Sequence, residues 1–304
     1  MKVAHPLNVG FVGLGTMGRP MAGHLVAAGH HLHIHTRRTP PPELVEAGAV
    51  VCSSRRELAE KVDVLFIMVP NTPQVRDVLF GEDGVAESLS PGKTVVDMSS
   101  ISPLATKRFA ASIRERGCDY LDAPVSGGEV GARAGTLTIM VGGSAEALDR
   151  VRPLLQLMGK NITLIGDNGA GQTCKVANQM IVGATIAAVS EALVFATAAG
   201  ADPIRVREAL LGGFAQSRVL EVHGDRMLRR IFDPGFRVEL HIKDLDLALS
   251  GARELNVNVP MTAACAELFE TCAAAGGAQL DHSALVVVLE GMANTPLVSK
   301  GGDR

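Results

Sequence analysis

Lys175 and Asn178 stand three residues apart in Gly169-Ala170-Gly171-Gln172-Thr173-Cys174-Lys175-Val176-Ala177-Asn178, the segment that opens a long apolar run. On a helix that spacing puts both side chains on one face. An ammonium and an amide beside apolar neighbours cost free energy unless they are paired or used. A lysine ammonium beside a carbonyl can donate a proton while hydride arrives at carbon, and the same lysine serves as base in the oxidation. The spacing is equally compatible with a lysine whose charge reaches solvent at the helix start. Cys174 is adjacent, but neighbours on a helix point about 100° apart, so it reads as a small packing residue.

Ser126, Gly127 and Gly128 follow a strand-like run in Asp122-Ala123-Pro124-Val125-Ser126-Gly127-Gly128. Such a turn can present a hydroxyl and several N–H groups to a carboxylate, or be an ordinary turn after Pro124. Lys243, in His241-Ile242-Lys243-Asp244-Leu245, either reaches a cleft or pairs with Asp244 or Asp246. His31, His33 and His35 share one strand face, where imidazoles converge poorly, and no acid or cysteine joins them. No metal is therefore expected.

Gly13-Leu14-Gly15-Thr16-Met17-Gly18 is G-x-G-x-x-G between a strand-like run and a helical period. In that setting it is a dinucleotide fingerprint. Gly13 permits the tight turn, Gly15 lets the backbone approach a pyrophosphate, and Gly18 lets helix and strand pack closely. The helix N-terminus adds free N–H groups and a positive dipole end. At the end of the second strand an acid would bind the ribose hydroxyls of NAD; Thr36-Arg37-Arg38 stands there instead. Two guanidiniums suit a 2′-phosphate, so NADP is expected, with NAD possible.

These groups need a scaffold. Val9–Val12, Leu32–His35, Val64–Val69, Thr94–Met98, Asp119–Asp122 and Leu137–Val141 read as strands, alternating with helical periods such as Met17, Met21, Leu25 and Ala28. The pattern predicts an α/β N-terminal domain, a doubly wound Rossmann-type parallel sheet. After Asp167 the pattern is helical, broken at Gly200, Gly212-Gly213 and Pro234-Gly235. We divide the chain into a dinucleotide-binding domain, residues 1–167, and an all-α substrate and oligomerisation domain, residues 168–304. Met180–Ala199 is apolar enough to be mistaken for a membrane span, but Ser190 and Glu191 near its middle favour a helix buried on all sides of a soluble protein. Residues 294–304 are expected to fray.

Composition narrows the function classes. A net charge of −3 gives no draw toward nucleic acid or anionic membrane. Five scattered cysteines without a C-x-x-C pair fit a reducing compartment rather than a disulfide framework. The N-terminus lacks the apolar stretch and cleavage site of a signal peptide, so a cytoplasmic location is expected.

Taken in order, the Gly13–Gly18 loop, Asp122–Gly128, Gly169–Asn178 and Lys243-Asp244-Leu245 resemble the 3-hydroxyisobutyrate dehydrogenase-related (β-hydroxyacid dehydrogenase) family, over about Asn8 to Asn294. Met68–Pro73, Asp97–Pro103, Gly235-Phe236 through Leu245, and Asp281-His282-Ser283-Ala284-Leu285 read like its branch acting on tartronate semialdehyde (2-hydroxy-3-oxopropanoate). The resemblance implies a small carboxylate-bearing aldehyde as substrate, reduced by hydride from NAD(P)H. It makes Lys175 the acid/base and Asn178 a substrate-orienting group. It gives Ser126, Gly127 and Gly128 the carboxylate. It places Ser100 by nicotinamide and substrate with Ser99 beside it. Val69, Pro70 and Asn71 fall at the cofactor edge, and Lys243 at the cofactor or the closing cleft. It also implies a long interdomain helix from about Gly171 to Ala199 and a homodimer or homotetramer. Other family substrates (3-hydroxyisobutyrate, succinic semialdehyde or glyoxylate) remain open, as does a non-catalytic dinucleotide-binding redox sensor.

Overall fold

The computed structural model describes residues 5–298, so Met1 to Ala4 and the last six residues of the expected frayed tail lie outside the described residues. Compact units divide between Lys175 and Val176. The first unit alternates strand and helix: β1 (Asn8–Val12), α1 (Gly18–Ala27), β2 (His31–His35), α2 (Pro42–Glu46), β3 (Val50–Val51), α3 (Arg55–Lys61), β4 (Val64–Ile67), α4 (Thr72–Phe80), β5 (Thr94–Asp97), α5 (Pro103–Arg114) and β6 (Asp119–Asp122). It continues through β7 (Val125–Ser126), α6 (Gly128–Ala134), β8 (Leu137–Gly142), α7 (Ala145–Gln156) and β9 (Gly159–Gly166).

The strand order is β3-β2-β1-β4-β5-β6-β8-β7, with β9 on β8. Every pairing from β3 to β6 is parallel. That 3-2-1-4-5-6 order is the doubly wound dinucleotide arrangement, whose ligands lie beyond the strands' carboxyl ends. The parallel expectation fails only past β6: β8 runs antiparallel to both β6 and β7, and β9 is parallel to β8. β4 is buried at every position, as a central strand covered on both faces must be. One apolar core, including Phe11, Met21, Leu25 and Val96, covers one face; a second, including Leu58, Leu65, Val95 and Ile113, covers the other.

The second unit holds most of α8 (Ala170–Ala198), then α9 (Pro203–Leu211), α10 (Arg218–Arg229), α11 (Val238–Leu255), α12 (Pro260–Cys272) and α13 (Leu285–Ala293). Its core gathers Ile186, Leu193, Leu220, Leu245, Phe269 and Leu285. α8 is long and apolar enough to cross a membrane, yet it is not buried on all sides: Ile181 and Phe195 are 67% and 75% exposed. The apolar surplus is split between a face that builds this core and a face that does not. The described part of the expected frayed tail is tied down. Leu297 is buried, and its N–H reaches the Glu290 carboxylate at 2.8 Å.

Two segments far apart in sequence form a buried clamp here. Asp281, 1% exposed, accepts from the N–H groups of Gly235 (3.0 Å) and Phe236 (3.2 Å), and from the Ser283 N–H (3.1 Å) and hydroxyl (2.6 Å). Arg226 Nε and His223 Nδ1 lie 3.4 and 3.5 Å from the same carboxylate. A histidine series runs from His223 through His282 (3.1 Å) to His241 (2.9 Å) and on to the Gln179 carbonyl (3.3 Å). The ligand atoms of His223, Asp281 and His282 lie within 4.8 Å of one another. Asp281 already serves four donors and faces a guanidinium, so the cluster reads as a charged turn clamp rather than a metal centre.

Candidate active site

The glycine loop joins β1 to α1. Gly13 has φ +96°, and a Cβ there would lie 2.1 Å from the Met68 carbonyl oxygen. A Cβ on Gly18 would lie 1.9 Å from the Gly13 oxygen, whereas one on Gly15 would meet nothing within 4 Å. The first and third glycines are thus forced by packing and the second faces open space, as a pyrophosphate cradle requires. No side chain caps α1 at Met17, and its first turn holds no acid. Its N–H groups and positive end therefore suit an anion. Leu14 and Thr16 complete the loop. Thr36, Arg37 and Arg38 follow β2 beside it, with Val12 in register with His35. Both arginines are exposed, and among the described residues no carboxylate pairs with either. The residues present fit a dinucleotide.

The next segments come from the ends of β4 and β5. The Val69 N–H donates to the Ser99 hydroxyl at 3.0 Å, and Asn71 caps α4 by accepting from the Gln74 N–H at 3.1 Å. Pro70, between them, is exposed. Ser99 is wholly buried, with its N–H on Asp97 at 3.0 Å, while Ser100 is half-buried. Ser126 ends β7, and Gly127 and Gly128 (φ +133° and +61°) turn the chain into α6. Backbone in that region is strained for residues with a side chain, which is why glycines stand there.

α8 begins against these strand ends. Asp122, at the end of β6, accepts from the N–H groups of Gly169 (2.8 Å) and Gln172 (3.0 Å). A Cβ on Gly171 would lie 2.4 Å from the Met140 oxygen, so only glycine allows this close seat. The Gln172 amide donates to the Ser99 carbonyl at 2.7 Å and accepts from the Ile101 N–H at 3.0 Å. Lys175, one turn on, is 7% exposed. In the second unit the Asn178 amide donates to Gln179 (2.8 Å), whose amide donates to Asp244 (2.6 Å); Lys243 lies 3.0 Å from the other Asp244 oxygen. The pairing of Lys243 with Asp244 left open by the sequence is therefore present.

Asp97, Tyr120, Asp122 and Gln172 were not picked out from the sequence. Their importance lies in contacts across more than twenty residues, for which only the excess of polar residues in apolar runs gave a signal. Asp97 is completely buried and bonded to Tyr120 Oη at 2.9 Å. Burial pushes its carboxyl up to about 7 against the lowering effect of the Ser99 and Tyr120 hydrogen bonds, and nearby Asp122 raises it further. Burial raises Asp122 too. A carboxyl raised on folding favours the folded state when protonated, so this contribution is present below the ordinary value of 3.8 and is lost as pH rises through about 7. Asp97→Asn keeps the shape and an acceptor for Ser99. It is expected to flatten the fall in stability between the ordinary carboxyl value of 3.8 and about pH 7, leaving the slope due to Asp122. Urea unfolding across that range checks it; identical slopes in variant and wild type would sink the assignment to Asp97.

Comparisons with known proteins agree with this geometry. A family model described as the NAD binding domain of 6-phosphogluconate dehydrogenase matches residues 8–166, and one described as NAD-binding of NADP-dependent 3-hydroxyisobutyrate dehydrogenase matches residues 169–289. The chain is 62% identical over 291 residues to the 2-hydroxy-3-oxopropionate reductase of Escherichia coli K12, covering 96% of this chain and 100% of that one. The solved 3-hydroxyisobutyrate dehydrogenase of Mycobacterium tuberculosis, with L-serine, superposes with a TM-score of 0.85 at 32% identity over 94% of this chain and 99% of that one. Psf3, solved with NADP+ and 2-OPP, gives 0.83 at 29% identity over 92% and 99%. With a glycine loop that fits a dinucleotide, the doubly wound strand order and two family models spanning nearly its whole length, the chain belongs to the 3-hydroxyisobutyrate dehydrogenase-related family of NAD(P)-dependent oxidoreductases.

Proposed function

We propose that the protein reduces tartronate semialdehyde (2-hydroxy-3-oxopropanoate) to glycerate, with NADPH preferred. The observation that carries the substrate is 62% identity, across essentially the whole of both chains, to a relative named for that compound. The bound cofactor supplies the hydride. Lys175 polarises the aldehyde oxygen and gives it a proton as the alkoxide develops, so the product leaves as an alcohol. Asn178 orients the substrate, and its tie through Gln179 to Asp244 supports a fixed amide. Ser126 and the N–H groups of Gly127 and Gly128 hold the substrate carboxylate. Ser100 would lie beside substrate and nicotinamide, and Lys243 would contact the cofactor or close the cleft. Ser99, buried and engaged by protein groups, acts on the cofactor edge through Val69, and Pro70 and Asn71 shape that edge. The functional division remains 1–167 for the cofactor and 168–304 for substrate and assembly.

The enzyme works in the cytoplasm as a homodimer or homotetramer. Outward apolar side chains on the second unit, among them Ile181, Phe195 and Phe214, support assembly. The preference for NADPH rests on Arg37 and Arg38, exposed and, among the described residues, without a carboxylate partner where an NAD enzyme carries an acid.

The test follows the loss of reduced-nicotinamide absorbance with tartronate semialdehyde, succinic semialdehyde and glyoxylate, and its gain with 3-hydroxyisobutyrate and oxidised cofactor. Fastest turnover on tartronate semialdehyde is expected; a clear preference for another compound would overturn the substrate. Arg37→Ala/Arg38→Ala should raise KM for NADPH about 10- to 100-fold, the worth of lost charge-assisted bonds, with little change for NADH. Equal effects on both cofactors would remove these arginines from phosphate recognition.

A further inference from the structure

We propose that Gln172 is a positioning residue for the reduction: its side-chain amide fixes Ser100 against the helix that carries Lys175. The proposal rests on the roles given to Ser100 and Lys175 above. Gln172 is 0% exposed, and its amide grips the backbone on both sides of Ser100. Its Nε2 donates to the Ser99 carbonyl at 2.7 Å, and its Oε1 accepts from the Ile101 N–H at 3.0 Å. One side chain thus spans a single residue like a bracket.

The bracket requires an amide. A donor must face the Ser99 oxygen and an acceptor must face the Ile101 N–H, and glutamine supplies both from one planar group. An ionised glutamate would oppose the Ser99 carbonyl with a second acceptor, while a methionine of similar length would leave two buried peptide groups unsatisfied.

Docking of α8 does not rest on this side chain alone. The helix start is already held by Asp122, through the main-chain N–H groups of Gly169 and Gln172, and by the glycine seat at Gly171. What remains for the Gln172 side chain is the 99–101 segment. Lys175 follows three residues later, on the same side of the helix. The Ser99 hydroxyl accepts from the Val69 N–H, so the bracket also reaches the segment after β4. Sub-ångström placement of reacting groups is where such a bracket matters, since a displacement of about 1 Å costs about 100-fold in rate.

The test compares Gln172→Met and Gln172→Glu with wild type on whichever aldehyde the enzyme turns over fastest, with melting temperature and dinucleotide Kd measured on the same samples. Gln172→Met should lose about 10- to 100-fold in kcat while the Kd for the reduced dinucleotide stays close to wild type. Gln172→Glu should be slow at alkaline pH and recover as pH falls, because only the protonated carboxyl can donate to the Ser99 oxygen. A stabilising role alone would lower the melting temperature and leave kcat per folded enzyme and its pH profile unchanged. That result would overturn the proposal. Lys175→Ala separates the two readings: if it is inactive while Gln172→Met is fully active, only the bracket falls; if it is active, the assignment of Lys175 falls.

Discussion

Lys175→Ala is expected to lose about 10^2- to 10^4-fold in kcat, the usual worth of a positioned general acid, while the variant still folds and binds dinucleotide. The glycine loop, the Arg37-Arg38 turn and the Val69–Asn71 edge come from other segments of the first unit, so dinucleotide binding is expected to survive the truncation. Lys175 is 7% exposed, at the start of α8. The first turn of α8 is arranged to hold it still: Asp122 caps the turn, Gly171 seats it, and Gln172 binds the neighbouring loop. Lys175→Arg keeps the charge but exchanges a compact ammonium for a planar group that does not give up its proton, and should be nearly as slow as the alanine variant. Pre-steady-state turnover and dinucleotide titration measure both. Retention of most of kcat in Lys175→Ala would remove it as proton donor and leave the fold and cofactor site standing.

The parts of this site that were legible in the sequence are those whose chemistry is local. Gly13–Gly18 declares itself because strand, turn and helix are contiguous and each glycine answers a constraint a few residues away. The strand Asp119–Asp122 coincides with its sequence reading because Tyr120-Leu121 is a short apolar run between two helical periods. β3 and β7 are two residues each, too short for any periodicity, and β9 is largely exposed, so its burial pattern is not that of a core strand. Gln172 was visible only as one polar residue in a motif, since its partners lie 71 and 73 positions away. Asp97 and Asp122 likewise passed as strand-end acids. The full burial that makes one a pH-sensitive group and the other a helix cap is a property of the folded sheet. Lys243 was ambiguous for a different reason, because a neighbouring carboxylate and a cleft make equal sense at that spacing. The structure supplies the carboxylate contact without removing a role at the site.

The second large effect concerns stability, and it joins two segments that the sequence marked only by resemblance. Asp281→Ala should cost the fold about 3–5 kcal/mol, the range for removing one partner of a buried charged network. The alanine would leave the N–H groups of Gly235, Phe236 and Ser283 and the Ser283 hydroxyl without their acceptor, and Arg226 without its counter-charge. Asp281→Asn should fall between wild type and alanine. Its single oxygen can serve Gly235 and Phe236 or Ser283, but not both sides, since donors meet both carboxylate oxygens in the wild type. The pH dependence has a definite sign. Against the raising effect of burial, His223 beside it and the hydrogen bonds from Ser283 hold the Asp281 carboxyl below its ordinary range. Its contribution is therefore full above 3.8 and is lost as pH falls through the lowered value. Burial, with His241 and His223 nearby, holds the His282 imidazole well below 6.5, so the fold also resists charging that ring and weakens as pH drops below that value. The two units can be followed separately. The chain has no Trp and a single Tyr, Tyr120 in the first unit, so tyrosine emission reports the sheet while far-UV circular dichroism is weighted toward the helical unit. Urea titration of Asp281→Ala should move the helical transition to lower denaturant and leave the Tyr120 transition near its wild-type midpoint. A helical midpoint equal to wild type would show that the clamp is dispensable, and equal shifts in both signals would show that the units unfold as one.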